Sequence, residues 1–344
     1  MAVLFGSHPI FADHDSGTHH PERSERLKAV ARGMEAVSDV VELLRYTPGP
    51  APMEALVRVH DSEYLESLKR FCLMGGGELD PDTAVSIQSW DAAVVAAGAG
   101  LDAADRLRAG EADSAFVAVR PPGHHAVSGS AMGFCLINNV AVLAADLSQR
   151  GEKVLILDFD AHHGNGTQDI FFEDPSVLYV STHQFPLFPG SGRVQEVGSG
   201  VGFGMTVNIP LPERTTGPTL RYALDQIARP TIEGFGPTWL LMSAGFDAHY
   251  RDPLTEMGLS SGDFGQIVRW AMEFVPKQRS IAMLEGGYDL SALRDSTSAL
   301  LSALEGQKFA PEEPGTDKPE FDLVNAMAEV RFRALGVHGD GTSR

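Results

Sequence analysis

Short apolar segments recur along the chain, and longer amphipathic segments separate them. Six segments of four or five consecutive apolar residues have this character: residues 2–5, 115–119, 154–157, 177–180, 239–242 and 281–284. Runs of this length are typical of strands buried on both faces of a parallel sheet. Between them, residues 89–107, 139–150 and 220–232 have the pattern of helices. Alternating strand and helix signals predict an α/β fold built on one parallel sheet.

The 344 residues fit one large α/β domain or two smaller ones. Nothing resembling a linker interrupts the first 305 residues, whereas residues 310–319 are rich in Pro, Glu and Gly and predict a loop. We therefore expect one main domain over residues 1–309. Residues 310–344 then form a loop and a C-terminal helix that is packed on this domain or trails from it. That helix is expected at residues 321–335, with residues 336–344 frayed.

Composition limits the partners that the chain can have. Its formal net charge is −19, from 46 acidic and 27 basic residues. Such a surface repels phosphate backbones and anionic lipids, so we expect neither nucleic acid nor membrane as a partner. A cationic substrate suits this charge, although solubility alone also explains it. No stretch approaches the 18 uninterrupted apolar residues of a membrane-spanning helix.

The cysteine content and the first residues of the chain indicate the cellular compartment in which the protein is expected. Two cysteines, Cys72 and Cys135, are too few for a disulfide framework. Residues 1–6 lack the basic region of a signal peptide, and their apolar run is too short for one. We therefore expect a cytoplasmic protein.

Histidines cluster directly after three of the predicted strands. The three segments are Arg-Pro-Pro-Gly-His-His at residues 120–125, Leu-Asp-Phe-Asp-Ala-His-His-Gly-Asn-Gly-Thr at residues 157–167, and Ser-Ala-Gly-Phe-Asp-Ala-His at residues 243–249. Because side chains two residues apart in extended backbone point the same way, Asp158, Asp160 and His162 share one face. Sites in α/β proteins form at the carboxyl ends of strands, so we expect the three segments to contribute to one site.

Asp160, His162 and Asp247 together predict an open metal site. Two carboxylates and one imidazole leave positions free for water and substrate, as a catalytic zinc requires. Each piece alone has a simpler explanation. An Asp-x-Asp-x-His segment after a strand is commonly a loop held by hydrogen bonds. His124 and His125 alone could be a pair of hydrogen-bonded turn residues, and Asp247 alone could cap a helix. Their joint occurrence at strand ends favours the metal site.

Four segments in this order resemble signature segments of the histone deacetylase family, in particular its class II and bacterial branch, which is related to the acetylpolyamine amidohydrolases. Three are the segments given above, and the fourth is Glu-Gly-Gly-Tyr at residues 285–288. Residues 20–27 and 132–139 match further family segments, so the resemblance covers roughly residues 1–305. It implies the arginase/deacetylase fold, a single domain with about eight mostly parallel strands flanked by helices.

The resemblance implies a metal-dependent hydrolase. It assigns Asp160, His162 and Asp247 as ligands of a divalent metal, usually Zn²⁺, with Fe²⁺ as an alternative. His125 is then the general base for water and the acid toward the leaving amine. Tyr288 polarises the acyl carbonyl and stabilises the oxyanion together with the metal.

Further positions of the family pattern support these groups. His124 lies beside Asp158 and gives electrostatic support. Asn165 stands where class I members have an Asp, and a neutral amide raises the pKa of His125 less than a carboxylate does. The resemblance also implies a K⁺ site, whose residues are Asp158, Asp160, His162, Ser181 and Thr182.

The resemblance further implies a tunnel for an acyl-lysine side chain. Its substrate-binding positions are Gly133, Phe134, Phe188, Leu254, Gly286 and Gly287. Phe134 and Phe188 match the aromatic walls, although Phe188 also suits simple loop packing. Leu254 stands where the eukaryotic acetylpolyamine deacetylase has a Glu, which favours lysine. Glu256, two residues further, leaves the polyamine alternative open.

Three functions therefore remain. We favour a metal-dependent deacylase of acyl-lysine in peptides or proteins over a hydrolase of acetylpolyamines or other small N-acyl amines. A catalytically silent binding protein is the third. Arginase-like chemistry needs a second metal with extra Asp ligands, and the Tyr288 segment disfavours it. Arg26 matches a residue of the family's internal cavity, and an acidic rim is expected from Glu78, Asp80 and Asp82. The oligomeric state, the preferred acyl group and the physiological substrate stay open.

Overall fold

The computed structural model describes residues 2–336. Its strands are β1 (Ala2–Gly6), β2 (Glu42–Tyr46), β3 (Gly77–Glu78), β4 (Ala84–Val85), β5 (Ser114–Val117), β6 (Val154–Asp158), β7 (Val177–Gln184), β8 (Thr206–Leu211), β9 (Trp239–Ala244) and β10 (Ser280–Leu284). Within the described residues, eight strands form one parallel sheet in the order β2-β1-β5-β10-β9-β6-β7-β8. Strands β3 and β4 form a separate antiparallel pair. The predicted α/β fold with one parallel sheet is confirmed.

Helices connect these strands. They are α1 (Glu25–Glu35), α2 (Met53–Leu56), α3 (Ser62–Leu73), α4 (Ser89–Arg108), α5 (Asn139–Gln149), α6 (Asn165–Phe171), α7 (Gly217–Ala223), α8 (Arg229–Phe235), α9 (Ser261–Met272), α10 (Leu290–Glu305) and α11 (Phe321–Ala334). Short 3₁₀ turns occur at Pro9–Ala12 and Gly200–Gly202. Among the helices of the described part of the chain, none has both the length and the apolar character needed to cross a membrane.

All six strands predicted from apolar runs are present, whereas β2 and β8 were not predicted. These two are the edges of the sheet. The sequence of β2, Glu-Leu-Leu-Arg-Tyr, is half exposed and mixes charged with apolar residues, and β8 contains Pro210. Strand β2 is partly exposed to solvent and needs no continuous apolar run. Strand β8 is buried, but Thr206, Asn208 and Pro210 interrupt its apolar residues, so the signal that identified the central strands is absent there too.

The helix predicted at residues 220–232 forms with an interruption. Helix α7 passes into a π-helical turn at Leu224–Ala228, which is followed by α8. Pro230 lies in the first turn of α8. A proline has no N–H to donate to the preceding turn, and its ring clashes with the carbonyl four residues before it in a regular α-helix. The wider hydrogen-bonding pattern of the π-helical turn lies directly before this residue, where the proline prevents the regular pattern.

Alternate residues of the central strands pack into two cores, one on each face of the sheet. In β6, Leu155 and Leu157 belong to the core formed with α1 and α7–α11. Val154 and Ile156 belong to the opposite core, formed with α3, α4 and α5. This is the two-faced burial that continuous apolar strands require.

The C-terminal helix α11 is anchored to the edge of the sheet. Val324 and Met327 are buried in the first core. Arg331 is 2% exposed, and its guanidinium donates to the carbonyl oxygens of Thr206 (2.6 Å) and Gly204 (3.2 Å) beside strand β8. Burial lowers the pKa of Arg331 to about 10. Of the segment expected to fray, residues 337–344 lie outside the described residues.

We predict that Arg331→Leu destabilises the protein by about 2–4 kcal/mol, because it leaves two carbonyl groups at strand β8 without their charged donor. Urea unfolding monitored by circular dichroism measures this change. Arg333→Leu in the same helix is the control: Arg333 is exposed and pairs with Glu329 at 3.3 Å, and such surface pairs contribute little. Equal midpoints for the two variants would contradict the anchoring role of Arg331.

Candidate active site and metal centre

Four adjacent strands at the middle of the sheet, β5, β10, β9 and β6, each precede one of the motif segments. Because these strands are parallel, their carboxyl ends lie at one edge of the sheet. Residues 120–125, 285–288, 245–249 and 158–163 therefore meet there although they are far apart in sequence. The structure thus brings the three predicted segments and the Tyr288 segment together.

Asp160, His162 and Asp247 converge, and their ligand atoms all lie within 4.8 Å of one another. His162 Nδ1 is 3.2 Å from Asp160 Oδ1 and 2.9 Å from Asp247 Oδ2. Backbone groups orient both carboxylates. The Gly286 N–H donates to Asp160 Oδ2, and the Ala161 N–H donates to Asp247 Oδ1, each at 2.8 Å.

The charges within this cluster favour a cation. Burial opposes a charged imidazole, but the hydrogen bonds and charges of Asp160 and Asp247 raise the pKa of His162 to about 10. Burial and the neighbouring Asp160 raise the pKa of Asp247 to about 7. A proton on His162 thus supplies the positive charge that two buried carboxylates require. A divalent metal displaces such a proton on binding, and two carboxylates with one imidazole match a catalytic zinc set. The residues present therefore fit a divalent metal.

A second group of metal-ligand types, His124, Cys135 and Glu285, also lies close together within the described residues. Two of its members, Glu285 and Cys135, are poorly suited to bind a metal. The Glu285 carboxylate accepts the N–H groups of Gly123 (2.7 Å) and His124 (3.2 Å). Burial raises the pKa of Cys135 well above its usual value, which disfavours the thiolate that a metal needs. The Asp160 cluster is the better metal centre.

The two adjacent histidines have different partners. His124 Nδ1 lies 3.1 Å from Asp158 Oδ2. Burial opposes its charge, but Asp160 and Asp158 raise the pKa of His124 to about 10. His125 Nδ1 lies 2.8 Å from Asn165 Oδ1. Since an amide oxygen only accepts, His125 carries its proton on Nδ1, and Nε2 keeps a free lone pair.

Burial, together with the neighbouring His124 and His162, lowers the pKa of His125 well below its usual value. A neutral imidazole with one free nitrogen is suited to accept a proton. The pair therefore combines a charged histidine with a neutral one, each fixed by its own hydrogen bond.

Tyr288 is buried, and burial raises the pKa of its hydroxyl well above the usual value. The group stays protonated and can donate a hydrogen bond. Asp252 holds the backbone of this segment: its Oδ2 accepts the N–H groups of Tyr288 (2.7 Å) and Asp289 (3.3 Å). The position of the tyrosine is therefore fixed from the loop that also carries Asp247.

Behind Tyr288 lies a buried ion network. Glu22 pairs with Arg26 (3.1 Å) and with Arg120 (2.5 Å), and all three side chains are fully buried. Although burial alone would raise the pKa of Glu22, the two arginines lower it to about 2. Arg26 also donates to the carbonyl oxygens of Gly287 (2.8 Å) and Glu285, and its guanidinium lies 5.1 Å from the Tyr288 ring centre. Arg26 thus stabilises the backbone of residues 285–288, which carries Tyr288.

A cavity of about 240 Å³ reaches these groups. Its lining residues are Asp82, His125, Gly133, Phe134, His162, Leu187, Phe188, Leu254 and Tyr288. The Phe188 ring centre lies 5.2 Å from that of His125, and the Phe134 ring centre lies 5.9 Å from that of Tyr288. Gly133 has φ +55°, and a Cβ there would be 2.5 Å from His125 Cδ2. Only glycine therefore lets this wall approach the imidazole.

The family model for the histone deacetylase domain matches residues 20–304. The chain belongs to the histone deacetylase family. It is 37% identical over 321 residues to a probable deacetylase of Archaeoglobus fulgidus, covering 91% of this chain and 89% of that protein. It is 36% identical to the histone deacetylase-like amidohydrolase of Pseudomonas aeruginosa, covering 89% and 81% of the two chains.

Solved structures agree with this family membership. The crystal structure of the HD domain of HDA15 has a TM-score of 0.89 and 31% identity, and each chain is covered to 98%. The predicted single-domain deacetylase fold is therefore confirmed, and so is the predicted family. Membership of the histone deacetylase family supports the prediction that the protein is a hydrolase of the deacetylase/amidohydrolase type.

Some residues that the family resemblance assigned to substrate have other contacts. Gly286 donates its N–H to Asp160, and Gly287 offers its carbonyl to Arg26, so both hold the site together. Glu256 is exposed, lies beside Glu213, and is absent from the described cavity lining. Of the expected acidic rim, Asp82 lines the cavity, whereas Glu78 and Asp80 are outside that set.

Of the residues named for a K⁺ site, Asp158 and Ser181 lie side by side on neighbouring strands. Asp158 is paired with Ser181 across β6 and β7. The Ser181 hydroxyl lies 2.9 Å from His183 Nδ1. Thr182 Oγ1 is buried, with no hydrogen-bond partner among the described residues.

Sequence reasoning assigned no role to Glu285, Asp252 or Glu22, all of which position the site. Each carboxylate holds backbone N–H groups or arginines of a distant segment. One signal was present, because Glu285 follows a buried strand directly and has no basic neighbour in its own segment. A buried acid of that kind needs a partner from elsewhere in the fold.

We predict that Gly286→Ala weakens divalent-metal binding by about 10–100-fold. Its Cβ would overlap Asp247 Oδ2 and lie 2.6 Å from Asp160 Oδ2, and displaced support of metal ligands typically costs this much. Competition with a chromophoric chelator measures the dissociation constant on metal-stripped protein. Gly234→Ala in α8 is the control, since a Cβ there meets nothing within 4 Å. Unchanged affinity in Gly286→Ala would show that the two carboxylates are not the ligands.

Proposed function

We propose that this protein is a zinc-dependent deacylase that removes acetyl or related acyl groups from lysine side chains of peptides or proteins. The observation that carries the proposal is that the Asp160, His162 and Asp247 cluster meets, through His162, the cavity that His125 and Tyr288 line. A catalytically silent binding protein is disfavoured, because every position that the chemistry needs holds a competent side chain.

Asp160, His162 and Asp247 hold the metal. Zn²⁺ suits two carboxylates and an imidazole, and Fe²⁺ is the alternative. When bound, the ion supplies Lewis-acid polarisation of the acyl carbonyl and lowers the pKa of water. The protein fixes the Asp160 and Asp247 side chains through hydrogen bonds from the N–H groups of Gly286 and Ala161.

His125 is the general base. Its Nε2 accepts a proton as water attacks the acyl carbon, and the resulting imidazolium donates that proton to the leaving amine. Asn165 fixes the tautomer through Nδ1. His124, held charged by Asp158, gives electrostatic support to the negative charge that develops at the acyl oxygen.

Tyr288 donates its hydroxyl hydrogen to the acyl oxygen. This bond strengthens as the oxygen gains charge, so it lowers the barrier to the tetrahedral intermediate more than it stabilises bound substrate. Removing the hydroxyl therefore affects kcat more than KM. Asp252 and Arg26 hold the tyrosine in place from two sides.

The cavity lining supports an acyl-lysine substrate. Phe134, Phe188, Leu187 and Leu254 present apolar surface to a four-carbon stem, whose burial is favourable in proportion to its area. Asp82 lies in the same lining as an acceptor for polar groups beside the lysine. Leu254 provides no charge for a second amine, which argues against acetylpolyamines. These small N-acyl amines remain the second candidate substrate class.

We also propose a structural K⁺ at Asp158, Asp160, His162, Ser181 and Thr182. Its support is the register that places Ser181 directly beside Asp158 across β6 and β7, at the strand end that leads to Asp160 and His162. A monovalent cation there balances part of the carboxylate charge behind the metal cluster.

We predict that the zinc-loaded enzyme hydrolyses an acetyl-lysine peptide with a kcat/KM at least about tenfold above that for N-acetylputrescine or N-acetylspermidine, a difference of about 1.4 kcal/mol. Parallel assays with longer acyl chains measure the preference. His125→Ala should lose turnover of every substrate, which ties the activity to this site. A preference for the acetylpolyamines would overturn the ranking.

Leu254→Glu tests the assigned selectivity from the opposite direction. We expect it to raise kcat/KM for N-acetylspermidine relative to the peptide about tenfold, because a carboxylate in the lining attracts the second amine. Leu44→Glu is the control, since Leu44 and Leu254 are equally exposed at 37% and Leu44 lies on edge strand β2. A relative rate that does not change with Leu254→Glu would argue that this position does not contact substrate.

The pH dependence of kcat/KM tests the His125–Asn165 pair. The base acts when neutral, so activity falls as pH drops through its pKa, which burial holds below the usual value. In Asn165→Asp the added negative charge favours the imidazolium, and we expect the acid limb to move upward by about one pH unit or more. Asn325→Asp on the exposed face of α11 should leave the profile unchanged. A limb that stays in place or moves downward would exclude His125 as the titrating base.

A further inference from the structure

Residues 310–315, here called the C-terminal strap, lie outside the residues 20–304 matched by the family model. The strap is fixed against the start of helix α9. Glu312 N–H donates to Ser261 Oγ (3.2 Å), and Ser260 Oγ donates to Glu313 O (2.8 Å). A Cβ on Gly262 would be 2.5 Å from the Glu312 carbonyl oxygen. The backbone of the strap therefore rests directly on that of the helix.

From this position the Glu312 carboxylate reaches the loop that carries Asp247. Oε2 accepts from His249 Nε2 (2.8 Å) and from the Ser261 N–H (3.0 Å). Oε1 accepts from the Tyr250 hydroxyl (3.0 Å) and lies 3.2 Å from Arg251 Nη2. His249 is the donor, because its Nδ1 accepts the Arg251 N–H (3.2 Å). One carboxylate thus holds three consecutive residues of the loop.

His249 connects this contact to both functional side chains. It follows the metal ligand Asp247 by two residues and is fully buried. Its carbonyl oxygen accepts the Asp252 N–H (2.8 Å), and Asp252 in turn holds the Tyr288 N–H (2.7 Å). A continuous series of hydrogen bonds therefore runs from Glu312 to the backbone of Tyr288.

Charge neutralisation alone does not explain this arrangement. Arg251 already pairs with Asp295 at 3.0 Å. Glu312 also supplies the acceptor for the buried Nε2–H group of His249. Loss of this carboxylate would leave that N–H group without a hydrogen-bond partner in the interior. A loop with an unpaired buried donor shifts to reach water, and Asp247 and Asp252 lie within three residues of it.

We propose that Glu312 is a positioning residue for catalysis, which acts through His249 to hold Asp247 in metal-binding geometry and Tyr288 in its place at the cavity. The C-terminal strap then supports the active site by keeping the metal ligand and the tyrosine in position. This inference rests on the proposed function for the role of Tyr288, whereas its effect on metal binding is independent of turnover.

The test compares Glu312→Ala and Glu312→Gln with Glu313→Ala in the full chain. Glu313 is the matched control, because it has an exposed side chain and contributes to the strap through its carbonyl oxygen. Three quantities are measured for each: the Zn²⁺ dissociation constant of metal-stripped protein by chelator competition, kcat and KM separately on an acetyl-lysine peptide, and the melting temperature.

We expect Glu312→Ala to weaken Zn²⁺ binding about tenfold and to lower kcat about 10–100-fold with KM within twofold, which is the usual range for losing support of metal ligands. Glu312→Gln keeps one acceptor oxygen and should show a smaller loss of the same kind. Glu313→Ala should remain within twofold of the wild type. If Glu312→Ala does not fold, Glu312→Gln alone decides.

Zn²⁺ affinity and kcat within twofold of the control, even with a lowered melting temperature, would reduce Glu312 to a structural contact and overturn the inference. Absence of deacylation in the wild type would instead refute the proposed function. In that case the Zn²⁺ affinities still decide whether the strap supports the metal ligands.

Discussion

The parallel direction of four adjacent strands is the constraint on which the site depends. β5, β10, β9 and β6 lie side by side, and all four end at the same edge of the sheet. Each is buried on both faces, so its position is set by the two cores. The packing of these strands therefore places the segments that begin at residues 120, 158, 245 and 285 close to one another. Polar contacts between the segments, such as Gly286 N–H to Asp160, fix the positions of the individual side chains.

Burying this many carboxylates requires that each has a hydrogen-bond or ion partner. Asp160 and Asp247 share His162, Asp158 has His124 and Tyr179, Glu22 has two arginines, and Glu285 has two backbone N–H groups. An uncompensated buried charge costs several kcal/mol, so these sets are maintained together. The net charge of −19 is therefore a poor guide to the substrate, because part of it is neutralised inside the protein.

The sequence predicted what has a local pattern. Apolar runs located the six central strands, and the histidine and aspartate segments indicated the candidate metal cluster and its neighbours. Edge strands β2 and β8 carry mixed residues and gave no such signal. Contacts between distant segments were equally invisible: Asp252 with Tyr288, and Glu312 with His249, join residues whose own surroundings look like ordinary loops. Such pairs become evident only when the sheet has placed their segments side by side.

The opposite edge of the same sheet has a different character. There, at the amino ends of β6, β9 and β10, Glu152 accepts from Arg108 (3.3 Å), Arg279 (3.0 Å) and Thr238. These contacts are solvent-accessible, and surface pairs of this kind are individually weak. We expect changes in the length of these loops to leave the contacts around Asp160, His125 and Tyr288 in place, because the two sets lie at opposite edges of the sheet. The architecture therefore separates the part of the molecule that must stay fixed from the part that is free to diversify.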